Sequence, residues 1–354
     1  MVDLVTFSKL IGVSTGTISR VLNNHPSQRV SEDKRHFIMS EARKYGYRPN
    51  SAARSLAIQK TLNVALVHHF GTSIENFVNP NIAMPVMMAL EKVLKENHYG
   101  LNLVFITREK PEVTFSQLVQ NYRTFDAVVF PTRVATKGII DFTVEYQIPC
   151  AVILDPRAVE WNANSYCSDE EEDVRIAIKH LMALGHREIG VVGWDEAGRL
   201  KKGTFTFSFA EFIAQSGLKS SDEWIISVKQ NRDVFYSRRD HGREAMRQIL
   251  SLPKRPTAIV TQNDMIALGL SDIMQENHMQ PGREISIIGH GNFEEMAVGS
   301  NSQPFLTTLE PPIFEIGRAA AEALLAQIND NTLPHQHILY PSQLIVRNST
   351  CSLS

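Results

Sequence analysis

Four residues near the start of the chain, Gly16, Ser19, Arg20 and Asn23, have the types and spacing to read a polar surface. On a helical period they share one face, while Ile18, Val21 and Leu22 fall at i, i+3 and i+4 on the other. The outer face is small and polar with a single guanidinium, a surface that fits a DNA major groove. Between Asp3 and Asn23, two short helical patterns flank a tight Gly12-Val13-Ser14 turn, the layout of a helix-turn-helix. The competing reading, an ordinary surface helix pair, is opposed by the charge around it. Residues 1–60 hold ten Lys or Arg against four Asp or Glu, a balance of +6, whereas the whole chain is at −2 and the remainder therefore at −8. A basic head on an acidic body is the footprint of a domain that meets phosphates.

The elements that must position this face follow from capping signals. A third helix is announced by Ser31 as N-cap, Glu32 and Asp33 in its first turn, Arg43 and Lys44 in its last, and Gly46 beyond. Its apolar set, Phe37, Ile38, Ala42 and Tyr45, is expected to close a small three-helix core. Pro49 and Asn50 then punctuate the chain, and Ser51 to Ala57 read as two turns of helix, too short to be stable alone.

With 354 residues, 43% of them hydrophobic and 21% charged, the chain can form two or more domains with sizeable cores. From Leu62 onward, apolar and β-branched runs alternate with amphipathic stretches. The runs at 63–67, 101–106, 127–130, 151–154, 189–192, 224–228, 258–260 and 285–288 read as buried strands, with helical patterns at 85–97, 174–184, 239–250 and 266–276 among them. Repeated βαβ units predict parallel sheet, and this many strands predict two doubly wound lobes rather than one. The expected fold is an all-α helix-turn-helix head (1–48), a hinge helix and linker (49–60), and a two-lobed α/β body (61–354). Ligands of such bodies sit between the lobes at the carboxyl ends of the strands.

Cys150, Cys167 and Cys351 form no C-x-x-C pair and leave an odd thiol, which points to a reducing compartment and away from a disulfide framework or a structural zinc site. The first thirty residues hold no apolar run long enough for a signal peptide, and no later segment approaches a membrane span, so a cytoplasmic protein with no membrane partner is expected.

Seven segments, in order along the chain, resemble the lactose and galactose repressor (LacI/GalR) family of bacterial transcription regulators. They are Gly12 to Asn23, Tyr47-Arg-Pro-Asn50 with Ala53-Arg-Ser-Leu56, His180-Leu-Met-Ala-Leu-Gly-His-Arg187, Arg255-Pro-Thr-Ala-Ile259, Asn263-Asp-Met-Ile-Ala-Leu-Gly269, Ile285-Ser-Ile-Ile-Gly289 and Leu306-Thr-Thr308. Singly each is weak; together they are specific. The resemblance implies a body like that of periplasmic sugar-binding proteins, three strand crossovers between lobes, and homodimerisation through the body. It places Thr15, Gly16, Thr17 and Arg20 where the family reads operator bases, with Ser19 and Asn23 on the same face. Arg20 suits guanine, since its fork matches O6 and N7. Gly16 departs from the family's more usual side chain and removes one possible base contact. Ala53 and Leu56 match hinge residues that enter the minor groove, where an apolar wedge bends the duplex. Plain hinge packing is the other reading of Leu56, and a lone leucine in a basic, Ser/Ala-rich helix has little else to bury it.

In the body the resemblance assigns Asp264 and Asp169 to the effector pocket, acceptors suited to a polyhydroxy ligand. Two departures are plain. Gly289 is followed by His290-Gly291-Asn292 where the family has an aromatic and two aspartates, and Lys201-Lys-Gly-Thr-Phe-Thr-Phe-Ser-Phe209 lacks an arginine in clear register. His68 and His69 follow the first strand of the body; adjacent strand residues point to opposite sides, so His69 is a candidate for the effector rather than for a metal. The carboxylates Asp169 to Asp173 are explained by the dipole of the helix they open, except at Asp169. Phe205, Phe207, Phe209 and Phe212 read either as core or as a stacking platform, with Phe209 and Asn292 completing the expected effector set. No G-x-S-x-G elbow, Walker loop or H-E-x-x-H is present, and no cofactor or metal is expected.

These features point to a homodimeric, sequence-specific DNA-binding regulator, a repressor, whose affinity for a pseudo-palindromic operator is set by a small effector of carbohydrate type. A cytoplasmic solute-binding protein, or an enzyme on the same two-lobed fold, is the alternative; neither explains residues 1–60.

Overall fold

Asp3 opens the first helix, α1 (Leu4–Ile11), by accepting the Thr6 N–H at 2.8 Å, and Gly12 closes it at φ +65°, the left-handed region that glycine enters without penalty. Ser14 repeats the capping for α2 (Thr15–Leu22), accepting the Thr17 N–H at 3.3 Å. The computed structural model describes residues 2–22, 30–48, 58–70, 80–121, 124–132, 134–195, 205–219, 221–229, 237–294 and 303–353. The chain divides into two compact units, Met1–Thr61 and Leu62–Ser354.

In the first unit α1, α2 and α3 (Glu32–Lys44) pack around Phe7, Ile18, Val21, Ile38 and Ala42, and the Phe7 ring stacks on Tyr47 at 4.6 Å. Phe37, expected in this core, is 45% exposed instead. Ile38 takes the inward position beside it, and two successive helical residues cannot share one face. The two-turn helix expected at 51–57 lies outside the described residues, as do Asn23, Ala53 and Leu56.

The second unit is built on two six-stranded sheets. Sheet one runs β11-β5-β4-β3-β1-β2 and is parallel throughout; sheet two runs β12-β10-β9-β8-β6-β7 and is parallel except where β12 meets β10. The strands are β1 (Asn63–Phe70), β2 (Gly100–Thr107), β3 (Ala127–Pro131), β4 (Cys150–Ile153), β5 (Asn164–Ser168), β6 (Ile189–Asp195), β7 (Ile225–Lys229), β8 (Ala258–Thr261), β9 (Ser286–His290), β10 (Thr307–Glu310), β11 (His337–Tyr340) and β12 (Gln343–Ile345). Eight of these follow the expected strands; β5, β10, β11 and β12 were not foreseen.

Helices cover both faces of each sheet, as a doubly wound fold requires. α4 (Pro80–Glu96) and α11 (Ile313–Asn329) bury Leu90, Leu94, Ile316 and Leu324 against Val64, Leu66 and Val129 of sheet one. On its other face α5 (Pro111–Asn121) and α6 (Lys137–Glu145) bring Phe115, Ile139 and Ile140 onto Val67, Val128 and Phe130. In the second lobe α7 (Glu170–Ala183) and α8 (Phe205–Gln215) lie opposite α9 (Ser237–Ser251) and α10 (Asp264–Glu276). The chain crosses between lobes three times, from β5 to α7, from β10 to α11 and from β11 to β12, as the family resemblance implies. Among the described residues no helix is long and apolar enough to cross a membrane.

Candidate functional sites

The head presents the face expected of it. With Ile18 and Val21 inside, Thr15, Gly16, Ser19 and Arg20 of α2 are exposed and Thr17 is half-buried. Thr17 shares a 2.8 Å hydrogen bond with the Ser14 hydroxyl, so it is tied to the turn as well as presented. The Arg20 side chain folds back to donate from Nε to the Gly16 carbonyl at 3.0 Å, which holds the guanidinium over the first turn of the helix. Nothing in the fold demands glycine at 16, because a Cβ there would meet only Arg20 Nη2, at 3.8 Å. A helix-interior glycine costs about 0.5–1 kcal/mol relative to alanine, and one in the first turn, as Gly16 is, costs less. Gly16→Ala is therefore expected to stabilise the head by less than about 1 kcal/mol while weakening binding to a selected duplex, because the added methyl keeps the backbone from the DNA. Melting of the full-length protein and a DNA titration read the two effects, and unchanged affinity would show that close approach at Gly16 is not needed.

In the body the expected effector residues do not form one open cluster. Asp264, expected in the effector pocket, is fully buried in the first turn of α10. Both its oxygens are occupied, Oδ1 by the Thr308 hydroxyl at 2.6 Å and Oδ2 by the Phe293 N–H at 2.5 Å. Burial pushes its pKa up, against the two hydrogen bonds that favour the carboxylate. A Cβ at Gly289 would overlap Asp264 Oδ1, so the glycine of that segment makes room for the carboxylate. Asp264 is thus a tie between α10, β10 and the loop after β9.

Phe209 takes the core alternative of its aromatic run. At 1% exposure it packs with Phe205, Ile213, Val174 and Ile178 under sheet two, because α8 turns that face to the core, and it cannot serve as a stacking platform.

Asp169, His69 and Asn292 remain at strand or helix ends. Asp169 is half-buried and caps α7 through Glu172 N at 3.0 Å. His69 sits at the carboxyl end of β1, where burial, then the Arg108 charge, lowers its pKa; its Nδ1 is buried with no hydrogen-bond partner among the described residues. The neighbouring His68 is pushed down to about 4 by burial and by His69, so it stays neutral at physiological pH. Asn292 adopts φ +54° and bonds Glu310 and Arg347. Among the described residues no group of three or more His, Cys, Asp or Glu could hold a metal ion.

Sequence reasoning missed Asp173. It was read with the other α7 carboxylates as a solvated dipole partner, yet it is fully buried and bonded to Ser342 and His290. The available signal was the histidine at 290, where the family pattern has an aromatic.

Comparison with known proteins agrees with this architecture from end to end. Residues 8–50 match the model for bacterial regulatory proteins of the lacI family, and residues 178–350 match the periplasmic binding protein-like domain. The transcriptional regulator GalR of Escherichia coli is 26% identical over 365 aligned positions, covering 100% of this chain and 97% of that protein. A solved lac repressor dimer, bound to operator and an anti-inducer, superposes with a TM-score of 0.74 at 19% identity over 99% of both chains. The regulator CelR in complex with cellobiose does so at 0.66 and 20% identity, over 99% of this chain and 100% of that one. The chain belongs to the lactose and galactose repressor family of bacterial transcription regulators, which bind DNA through such a head under the control of a ligand held by such a body.

Proposed function

We propose that this regulator is a cytoplasmic homodimeric repressor with a pseudo-palindromic operator, and that a small polyhydroxy ligand, a sugar or sugar derivative, controls its grip. The observation that carries the reading is the exposed polar face of α2, ordered on a core that needs none of its side chains. Residues 1–48 serve as the reading head, 49–60 as hinge and linker, and 61–354 as the binding and dimerising body. Thr15, Thr17, Ser19, Arg20 and Asn23 meet the major groove, with Gly16 giving the backbone room. Ala53 and Leu56 enter the minor groove.

Asp169, His69 and Asn292 are the candidate ligand contacts. The unpartnered Nδ1 of His69 supports this, because a buried polar atom without a partner costs free energy that a ligand hydroxyl would recover. Asp264 acts one step behind, fixing the loop that carries Asn292. The sugar-bound relative CelR supports the ligand class. Ligand closure would change the spacing of the two hinges across the dimer, so that specific binding is lost, or gained where closure brings them to the spacing that fits one minor groove.

Duplex selection from a random pool tests the head. The selected site should be two-fold symmetric, and six or more phosphate contacts should cost about 10³-fold in affinity between 50 and 200 mM salt. Equal affinity for selected and random duplex at moderate salt would overturn the reading. A thermal-shift screen of carbohydrates tests the body: at a hundredfold excess over Kd a true ligand adds about 2.7 kcal/mol.

A further inference from the structure

The tripeptide that departs from the family pattern, His290-Gly291-Asn292 at the carboxyl end of β9, is tied to all three interlobe crossings, to the second directly and to the first and third through Asp173. Asp173, in the first turn of α7 just past the first crossing, accepts the His290 Nε2 contact at 3.0 Å. The same carboxylate accepts the Ser342 N–H and the Ser342 hydroxyl, each at 2.7 Å, from the third crossing. The Asp169 N–H donates to the Tyr340 carbonyl at 2.9 Å, so the first and third crossings are also joined through backbone. At the second crossing the Gly291 N–H donates to Leu309 O at 2.7 Å, and Asn292 Nδ2 to Glu310 Oε1 at 2.8 Å. Arg347 completes the set, donating to Asn292 Oδ1 at 2.8 Å and to Leu306 O at 2.7 Å.

The backbone here is shaped for this role. Gly291 lies at φ +120°, a conformation that L side chains rarely adopt, and a Cβ on it would overlap the Phe293 ring. A carboxylate side chain at 291 would need both a different backbone and a displaced Phe293.

We propose that His290-Gly291-Asn292 is a proton-carrying clamp: the His290 imidazolium holds the first and third crossings against the second lobe, and loss of its proton frees the pivot on which the lobes turn. The groups facing His290 are Asp173 and Glu170 from α7 and Asp264 from α10, with the Phe205 ring of α8 edge-on at 5.9 Å and Ser342 sharing the Asp173 oxygen; Arg347 connects only through Asn292. Burial on its own would lower the His290 pKa. The hydrogen bond and charge of Asp173, joined by Glu170 and Asp264, outweigh burial, and the net direction is upward from 6.5. A charge-assisted donor to a buried carboxylate is roughly twice as strong as a neutral one. Deprotonation leaves Asp173 buried with the two Ser342 donors and a weakened third. The sign follows from linkage. The stabilisation is complete below the unfolded histidine value of 6.5 and is lost as pH rises through the higher folded value.

The effect on DNA rests on the proposed control of the head by lobe rotation; the clamp itself can be read without DNA or effector. In full-length protein labelled at histidine Cε1, the His290 resonance, assigned through its loss in His290→Gln, should titrate with a midpoint above 6.5. The melting temperature of wild type should fall relative to His290→Gln by about 2 °C or more between pH 6 and 9. A midpoint at or below 6.5, or parallel melting profiles, overturns the clamp. Should His290→Gln fail to fold, His290→Phe, which restores the aromatic of the family pattern, takes its place. Affinity of wild type for the selected duplex should change across the same window by about tenfold for each unit by which the His290 pKa differs between the two lobe arrangements, and that of His290→Gln should not. A titrating clamp with identical DNA profiles in both proteins overturns its regulatory role. Absence of any selectable duplex would instead refute the proposed function and leave the first two measurements to decide the clamp.

Discussion

Asp264→Ala should destabilise the body by about 2–5 kcal/mol, because it strands two buried donors at once and each unsatisfied buried donor costs about 1–3 kcal/mol. Those donors are the Phe293 N–H and the Thr308 hydroxyl, whose other acceptor, the Leu309 carbonyl, lies at 3.5 Å. A partial offset comes from removing a carboxylate whose ionised form burial disfavours. At about 2 °C per kcal/mol, the low end for large domains, the melting temperature should drop by roughly 4–10 °C. Asp264→Asn keeps one acceptor and relieves the buried charge, so it should fall between alanine and wild type. Effector binding should weaken in step with the loss of stability, because the Phe293 bond anchors the loop that carries Asn292. A normal melting temperature in Asp264→Ala with ligand binding abolished would return Asp264 to direct contact with the ligand.

The same residue shows why the architecture was more legible than the pocket. Strands and helices announce themselves through period, and eight of the twelve strands carry runs apolar enough to be read directly. The four that escaped, β5, β10, β11 and β12, are short and flank the crossings. Two of them bury polar side chains, Asn164 and Ser165 in β5, Thr307 and Thr308 in β10, and those of Asn164, Thr307 and Thr308 are spent on bonds to distant segments. Polarity that serves the hinge thus erases the periodicity by which strands are recognised.

The motif segments are each contiguous in sequence, but the bonds that give them their purpose join one segment to another. Asn263-Asp264, Gly289 and Thr308 come from three separate segments and meet in one buried knot. His186 and Thr257 come from two more and share a 2.9 Å hydrogen bond, while the other His186 nitrogen reaches Cys351 O at 3.1 Å. Gly269, at the end of the segment that carries Asp264, lies where any Cβ would overlap the backbone of α9 at Arg239. Spacing along a chain cannot distinguish a carboxylate that awaits a ligand from one already satisfied from 44 residues away. The run Asp169 to Asp173 makes the point in reverse. Its first residue caps α7 and its last is the buried junction of two crossings, four positions on and inward on the helix.

Arg20→Ala should cost about 1–3 kcal/mol of operator binding and relax preference at one base pair in each half-site, the signature of a lost bidentate contact to guanine. Arg20 is exposed on α2, and its Nε is held by the Gly16 carbonyl at 3.0 Å. That bond holds the stem against the first turn of the helix, so part of the ordering entropy is already spent before DNA arrives. Arg20→Lys keeps the charge without the fork and should recover affinity for random duplex but not the base preference. The head's stability should be unaffected, because its core is made by Phe7, Ile18, Val21 and Ile38 on the opposite side. Binding of the two variants to a library permuted at every position of the selected site separates the possibilities. If the loss in Arg20→Ala is uniform across the library and Arg20→Lys restores it fully, Arg20 is a phosphate ligand, and base reading falls to Thr15, Thr17 and Ser19 on the same helix.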